Sequence, residues 1–268
     1  MRIAILYICT GKYNQFFEGF YQSCERFFLP GLSEKVYFVW TDDDELGTGK
    51  TNVHILHKEC AGFPEDSLFR FEYFLQVKKE LELFDYIYFF NANAEFKQEV
   101  GDEILPDETG LSMGLWYSQE KPWWSPWRLF NLPAFYCYER NKESLAYIPP
   151  FGKDYKEYMG GINGGRPKEY LMMVETLAKN IRDDYERGII AVAHDQSHIN
   201  AYMRTHKGMI IPKEYCWPEE WANTFAPKIV FRDKKMLGGE FLKGRNYTKR
   251  ERIQRVYVRI KNAIKWYL

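Results

Sequence analysis

Runs of β-branched and aromatic residues recur along the chain at positions 2–9, 36–41, 86–91, 111–117 and 228–231, and each has the length and make-up of a buried strand. Between several of these runs the apolar residues fall at helical spacing instead. Phe16, Phe20, Cys24 and Phe27 mark a helix over residues 16–28. Leu68, Phe71, Phe74, Leu75, Lys78 and Leu81 mark a second over residues 66–84, with Asp66 or Ser67 as its N-cap. Strands alternating with helices predict an α/β fold built on one sheet. Residues 119–138 break the pattern, because Pro122, Trp123, Trp124, Pro126, Trp127 and Pro133 read as a long loop. From Thr248 onward Ile253, Val256, Tyr257, Ile260, Ile264 and Tyr267 return at helical spacing, with cations mostly on the other face. Such a helix lies in a membrane interface or docks on an acidic body. No run approaches 18 consecutive apolar residues, so the pattern predicts no membrane span.

Composition changes the picture in one respect. The 268 residues, 46% of them apolar, are enough for one large domain or two small ones and exclude a disordered chain. The 37 basic and 37 acidic side chains cancel to zero, but the cancellation is regional. Residues 243–268 carry nine basic side chains and one acid, a net of +8, so the preceding 242 residues sum to −8. The boundary divides the chain into a body over residues 1–242 and a basic tail over residues 243–268. The tail has the charge for nucleic acid, but no recognised binding fold accompanies it, so nucleic acid is not an expected partner. Five cysteines without a C-x-x-C pair fit neither a disulfide framework nor a zinc ribbon, and the apolar run at residues 3–9 is shorter than a signal-peptide core. The expected compartment is a reducing cytoplasm, with the inner face of the cell membrane within reach of the tail.

Three segments carry candidate chemistry. His194 and His198 stand at i and i+4, but position 195 is Asp, not the glutamate of a zinc protease, and no metal site is expected there. Gly160, Gly161, Gly164 and Gly165 form either a tight turn or a place where a bulky ligand meets bare backbone. The run at 86–91 ends in Asn91 and Asn93, at the strand end where open α/β sheets collect ligands. Neutral amides bind sugar hydroxyls or phosphate oxygens; they lack the carboxylates that magnesium or manganese prefers.

Taken in order, the motifs Tyr7-Ile8-Cys9-Thr10-Gly11-Lys12-Tyr13, Phe89-Phe90-Asn91-Ala92-Asn93, Tyr138-Glu139-Arg140-Asn141-Lys142-Glu143-Ser144-Leu145-Ala146-Tyr147-Ile148-Pro149, the glycine cluster, His194-Asp195-Gln196-Ser197, Glu214-Tyr215-Cys216-Trp217 and Arg232-Asp233-Lys234 resemble glycosyltransferase family 6. This family includes the histo-blood-group A and B transferases and α-1,3-galactosyltransferase. The resemblance implies a GT-A type fold, a Rossmann-like mixed sheet flanked by helices in a single domain, here followed by a C-terminal amphipathic helix. It implies retaining transfer of GalNAc or Gal from UDP-GalNAc or UDP-Gal to a galactoside, fucosylated or not, on an oligosaccharide or lipid-linked glycan.

By position, the resemblance assigns Ile8, Thr10 and Tyr13 to the uracil and ribose, and Arg70 to the donor sugar and diphosphate. Vertebrate relatives hold manganese with a D-x-D pair at the positions of Asn91 and Asn93. Bacterial relatives resemble this chain in carrying N-x-N and working without metal, so neither manganese nor another cofactor is expected. Lys234 and Arg245 are then the candidate cations for the diphosphate leaving group, Arg245 lying on a segment that closes over the donor. Met159, Gly160 and Gly161 match the stretch facing C2 of the donor sugar. Gly161 favours GalNAc, whereas Met159 is the residue of a galactose user; the balance leans to GalNAc. His194 and Asp195 would meet the donor sugar, and Trp116, Glu219, Trp123 and Trp124, with Trp127 beside them, are the acceptor candidates. The main departure is Gln196, where the family has a glutamate beneath the anomeric carbon. An amide is not that nucleophile, so the chain either uses a front-face route or is a weakened variant, and a sugar-nucleotide or glycan-binding protein without turnover is the alternative.

Overall fold

The computed structural model describes residues 1–31, 34–116, 132–221, 225–234 and 248–268. A seven-stranded sheet runs through it. Its members are β1 (Arg2–Ile8), β2 (Glu34–Thr41), β3 (Val53–His57), β4 (Tyr86–Phe90), β6 (Leu111–Leu115), β7 (Tyr158–Gly165) and β8 (Met209–Ile211), in the order β3-β2-β1-β4-β7-β6-β8. The first four strands are mutually parallel. β7 runs antiparallel to both β4 and β6, and β8 is parallel to β6, so the sheet is mixed. A small second sheet joins β5 (Ala94–Phe96), β10 (Ile229–Phe231) and β9 (Trp217–Pro218).

Side chains alternate across each strand, and here both faces are buried. Ala4 and Leu6 of β1 face one core with Phe71, Phe74, Tyr170, Val174 and Leu177, while Ile3, Ile5 and Tyr7 face the other with Phe17, Phe20 and Cys24. The helices supplying these layers are α1 (Phe17–Phe27), the short α2 (Glu65–Leu68), α3 (Arg70–Leu75) and α4 (Lys78–Leu81), then α5 (Pro167–Glu186), α6 (Asp195–Tyr202) and α7 (Lys249–Tyr267). Large aromatic side chains fill these layers, with Trp40, Tyr7, Tyr37, Tyr88 and Tyr170 all buried.

All five predicted strands and the first predicted helix are present. Three expectations need correction. The helix predicted over residues 66–84 is three short helices, interrupted where Phe69 and Val77 leave helical geometry, and Pro64 precedes the first of them with no side-chain cap from Asp66 or Ser67. The glycine cluster is not a turn but part of β7, buried at every residue. The strand predicted to Tyr117 ends at Leu115. The body–tail boundary at 242/243 lies outside the described residues; the tail helix itself starts at Lys249 behind a Thr248–Glu251 capping box.

Candidate active site

In the main sheet the chain leaves β1 towards β2 on one side and has β4 on the other, and ligands bind at such a switch point, beyond the carboxyl ends of the parallel strands. The residues singled out in the sequence gather there. Ile8 closes β1, Thr10 and Tyr13 lie in and before the 3-10 turn Gly11–Phe16, and Asn91 and Asn93 follow β4 directly. Antiparallel pairing sets Ile162 opposite Phe90, which carries Met159, Gly160 and Gly161 to the same end. Asp195 and Gln196 open α6.

Arg70 joins these segments. Its side chain is 8% exposed, its Nη1 donates to the Gly160 carbonyl at 2.8 Å, and its Nε lies 3.3 Å from Asp195 Oδ2, itself on a side chain 7% exposed. The helix break at Phe69 accompanies this aim: Arg70 Nε also donates to the Ser67 carbonyl at 3.1 Å, and its guanidinium lies over the Phe89 ring. A buried carboxylate and a buried guanidinium are thereby held together at the strand ends.

The glycines serve this packing. A Cβ on Gly160 would sit 2.8 Å from Asp195 Oδ2, and one on Gly161 would sit 3.1 Å from both Asn91 Nδ2 and the Phe231 ring. A methyl at Gly161 would crowd Asn91 and the Phe231 ring, so the protein's own side chains give this glycine a packing reason beside the donor-sugar one. Gly160→Ala is expected to displace Asp195, costing about 1–3 kcal/mol of stability and more than tenfold in turnover, as thermal unfolding and a transfer assay would show.

The first-strand segment is held by two acids, Asp66, which the sequence had offered only as a helix cap, and Asp42, which it had not singled out. Asp66 accepts the Thr10 hydroxyl at 2.8 Å and the N–H groups of Ala61 and Gly62, and pairs with the buried Lys58. Asp42 accepts from the Gly11 N–H and from Asn14; although burial opposes it, these bonds hold its carboxyl below the usual range. A sequence signal existed in principle, since acids next to a glycine-containing turn commonly cap its N–H groups.

Lys234 and Tyr13 do meet, the ammonium lying 5.1 Å from the ring centroid. Asn93 donates to the Arg232 carbonyl at 2.8 Å, while its Oδ1 is buried with no hydrogen-bond partner among the described residues. Glu95 pairs with Lys97 and Arg232. Neutral amides, one already donating to backbone, do not fit a divalent cation, and among the described residues no group of three His, Cys, Asp or Glu is placed to hold one.

The two histidines have separate roles. His194 precedes α6 with φ +53°, a strained turn for a non-glycine residue, and its ring meets Phe63 edge-on. His198 is buried 3.6 Å from Asp184, which also accepts the Ser144 hydroxyl and the Leu145 N–H. Glu139 accepts the N–H of Val192, so the 138–149 motif braces the turn leading to Asp195. Burial pushes the His198 imidazole down to about 4. Its folded value is below the unfolded one, so the stability it contributes is complete above about pH 6.5 and is lost as pH falls towards 4. The expected loss is about 3 kcal/mol, read by chemical denaturation at pH 7 and pH 4 and diminished in His198→Gln.

Of the residues expected to meet an acceptor, Trp116, 42% exposed, meets Trp221 edge-on at 5.7 Å, and Trp221 meets Trp217 at 5.6 Å. Trp221 was not singled out in the sequence. Glu219 is tied to this edge, accepting the Asp233 N–H at 3.0 Å. Trp123, Trp124, Trp127 and Arg245 lie outside the described residues.

A family model described as glycosyltransferase family 6 matches residues 1–232. The chain is 33% identical over 236 residues to the Escherichia coli O-antigen biosynthesis glycosyltransferase WbnI, spanning 88% of this chain and 96% of that one. It is 28% identical over 229 residues to histo-blood group ABO system transferase 2 of Rattus norvegicus, spanning 81% of this chain and 64% of that one. Against globoside alpha-1,3-N-acetylgalactosaminyltransferase 1 of Gallus gallus the figures are 26% over 231 residues, 82% and 62%.

Proposed function

The chain belongs to glycosyltransferase family 6, and on that premise we propose that it transfers GalNAc or Gal from UDP-GalNAc or UDP-Gal to a galactoside acceptor, α-1,3 and with retention, without a metal ion. The observation that carries this reading is the buried Arg70–Asp195 pair, set against the Gly160 carbonyl where β1, β4 and β7 end. Tyr13 and Ile8 hold the uracil and Thr10 the ribose. Asp195 accepts hydrogen bonds from the donor-sugar hydroxyls. Arg70, Lys234 and Arg245 stabilise the charge that develops on the UDP leaving group, the role a divalent cation plays where D-x-D replaces Asn91 and Asn93. The acceptor hydroxyl attacks from the face that UDP leaves, its proton passing to the departing diphosphate, while the Gln196 carbonyl oxygen shields the cationic anomeric carbon.

The N-acetylgalactosaminyl transfer in the name of the chicken relative supports GalNAc. The O-antigen biosynthesis in the name of the E. coli relative supports a lipid-linked glycan met at the inner face of the cell membrane. Trp116 and Trp221 give the acceptor sugar an aromatic shelf, with Glu219 on the same edge; Trp123 and Trp124 remain further acceptor candidates. The test is UDP release from each donor in the presence of EDTA. Release is expected only when a β-galactoside or fucosylated acceptor is added; donor binding without acceptor-dependent release would establish a binding protein instead, and abolition by EDTA would overturn metal independence.

A further inference from the structure

The tail helix presents two different stripes. Ala263 and Trp266 are each 5% exposed and pack on Ala134, Tyr138 and Ile148, with the Trp266 indole N–H donating to the Ile148 carbonyl at 2.8 Å. Among the described residues these are the two buried apolar positions of α7. Yet Ile253, Tyr257, Ile264 and Tyr267 remain 63%, 65%, 56% and 42% exposed. With half-buried Ile260 they recur at i, i+4, i+7, i+11 and i+14. At about 100° per residue this is one straight stripe, roughly a quarter-turn around the helix from the docking stripe. Phe151 of the body, 77% exposed, meets Tyr267 at 5.3 Å and extends the stripe beyond the helix.

The surroundings define what covers it. Residues 248–268 carry seven basic side chains and one acid, Glu251, whose carboxylate accepts the Thr248 N–H and hydroxyl in the capping box. Beside the stripe a groove of about 470 Å³ is bordered by Arg140, Lys142 and Lys265. Glu139, which also lines the groove, accepts the N–H groups of Arg140, Asn141 and Val192; an apolar stripe edged by cations, on a helix whose one acid is engaged in its own cap, disfavours a second copy of itself by charge and matches an anionic, apolar-cored surface. No helix among the described residues is long and apolar enough to cross a membrane, so the fit is to lying on one.

The docking stripe shares its cluster with Ala201 of α6, the helix that begins at Asp195 and Gln196. Ser197 Oγ in turn donates to the carbonyl of Cys137, next to Tyr138. The helix is thus fixed to the framework of the catalytic turn. We propose that the exposed stripe of α7, with Phe151 and the flanking cations, seats the protein on an anionic phospholipid bilayer, holding the acceptor side of the site at a set height over the lipid surface. This rests on the reading of the acceptor as lipid-linked and assigns the surface that meets the lipid.

The test is co-sedimentation of the full chain with vesicles of phosphatidylglycerol and phosphatidylcholine in equal parts, against phosphatidylcholine alone. The full chain is expected to pellet with the anionic vesicles only. The double variant Tyr257→Glu, Ile264→Glu is expected to lose at least tenfold in partitioning, with its thermal midpoint and its transfer to a soluble oligosaccharide unchanged. Equal partitioning of variant and parent, equal binding to both vesicle types, or binding to neither would overturn the proposal. So would a dimer, seen by light scattering, that the double variant dissolves without any vesicle binding. Loss of transfer to soluble acceptors with vesicle binding intact would instead strike the proposed function and leave the lipid surface standing.

Discussion

Exchanging Gln196 for glutamate is expected to raise transfer to an oligosaccharide acceptor about a hundredfold, equivalent to about 3 kcal/mol of transition-state stabilisation. Gln196 is half-exposed at the first turn of α6, beside Gly160 and next to Asp195. As positive charge builds on the anomeric carbon, an amide offers only its carbonyl dipole, whereas a carboxylate offers a full charge where water is thin. A second carboxylate is tolerable here because Arg70 already compensates Asp195 at 3.3 Å. The gain should fall on kcat, with the donor KM little altered, since the added charge acts on the transition state and not on the bound sugar. A fall in kcat would show that the front-face route depends on the amide itself and that Gln196 is no handicap.

Arg70→Ala is expected to abolish transfer, by at least a thousandfold, and to lower stability by about 3–5 kcal/mol, the usual result of stripping one partner from a buried ion pair. The variant takes the cation from Asp195 and the donor from the Gly160 carbonyl, and with them the cation that the proposed function sets against the diphosphate. These effects can be separated. Adding Asp195→Asn to Arg70→Ala removes the buried charge and should restore most of the stability, read by denaturant midpoint, without restoring turnover. If the double variant stayed as unstable as the single one, the pair would not be the source of the stability. Arg70→Lys should keep more stability than activity, because a lysine lacks the fork that meets Asp195 and Gly160 at once.

The strands that were legible in the sequence are those whose side chains declare themselves. β1, β2 and β4 read as Val, Ile, Leu and aromatic runs, and they appear with nearly the expected limits. β7 did not, because Gly160, Gly161, Gly164 and Gly165 have no side chains from which a period could be read; their reason is close approach by Asp195, Phe231 and Tyr88. The helix over 66–84 had the right apolar spacing, but spacing is silent about the backbone break at Phe69 that accompanies the aim of Arg70 at Gly160. The candidate site was legible as a set of family positions; of these, Arg70 is bonded to Gly160 and paired with Asp195, and the Asn91 N–H donates to the Gly161 carbonyl, while Tyr13 meets Lys234. The roles of Asp66, Lys58 and Trp221 were not legible, since they arise from tertiary contacts with Thr10 and Trp116.

The strand order bears on how the protein is made. β4 is a central strand only because β7, far later in the chain, pairs with it from Ile87 to Phe90. During synthesis the parallel half β3-β2-β1-β4 can assemble well before β7 exists, and in that interval Tyr86–Phe90 is a flat, uncharged edge of β-favouring residues. Such an edge is a template for pairing with another nascent chain. Overproduction should therefore be limited by aggregation of incomplete chains, and slowing translation or supplying a chaperone should raise the soluble yield more than stabilising the finished fold would.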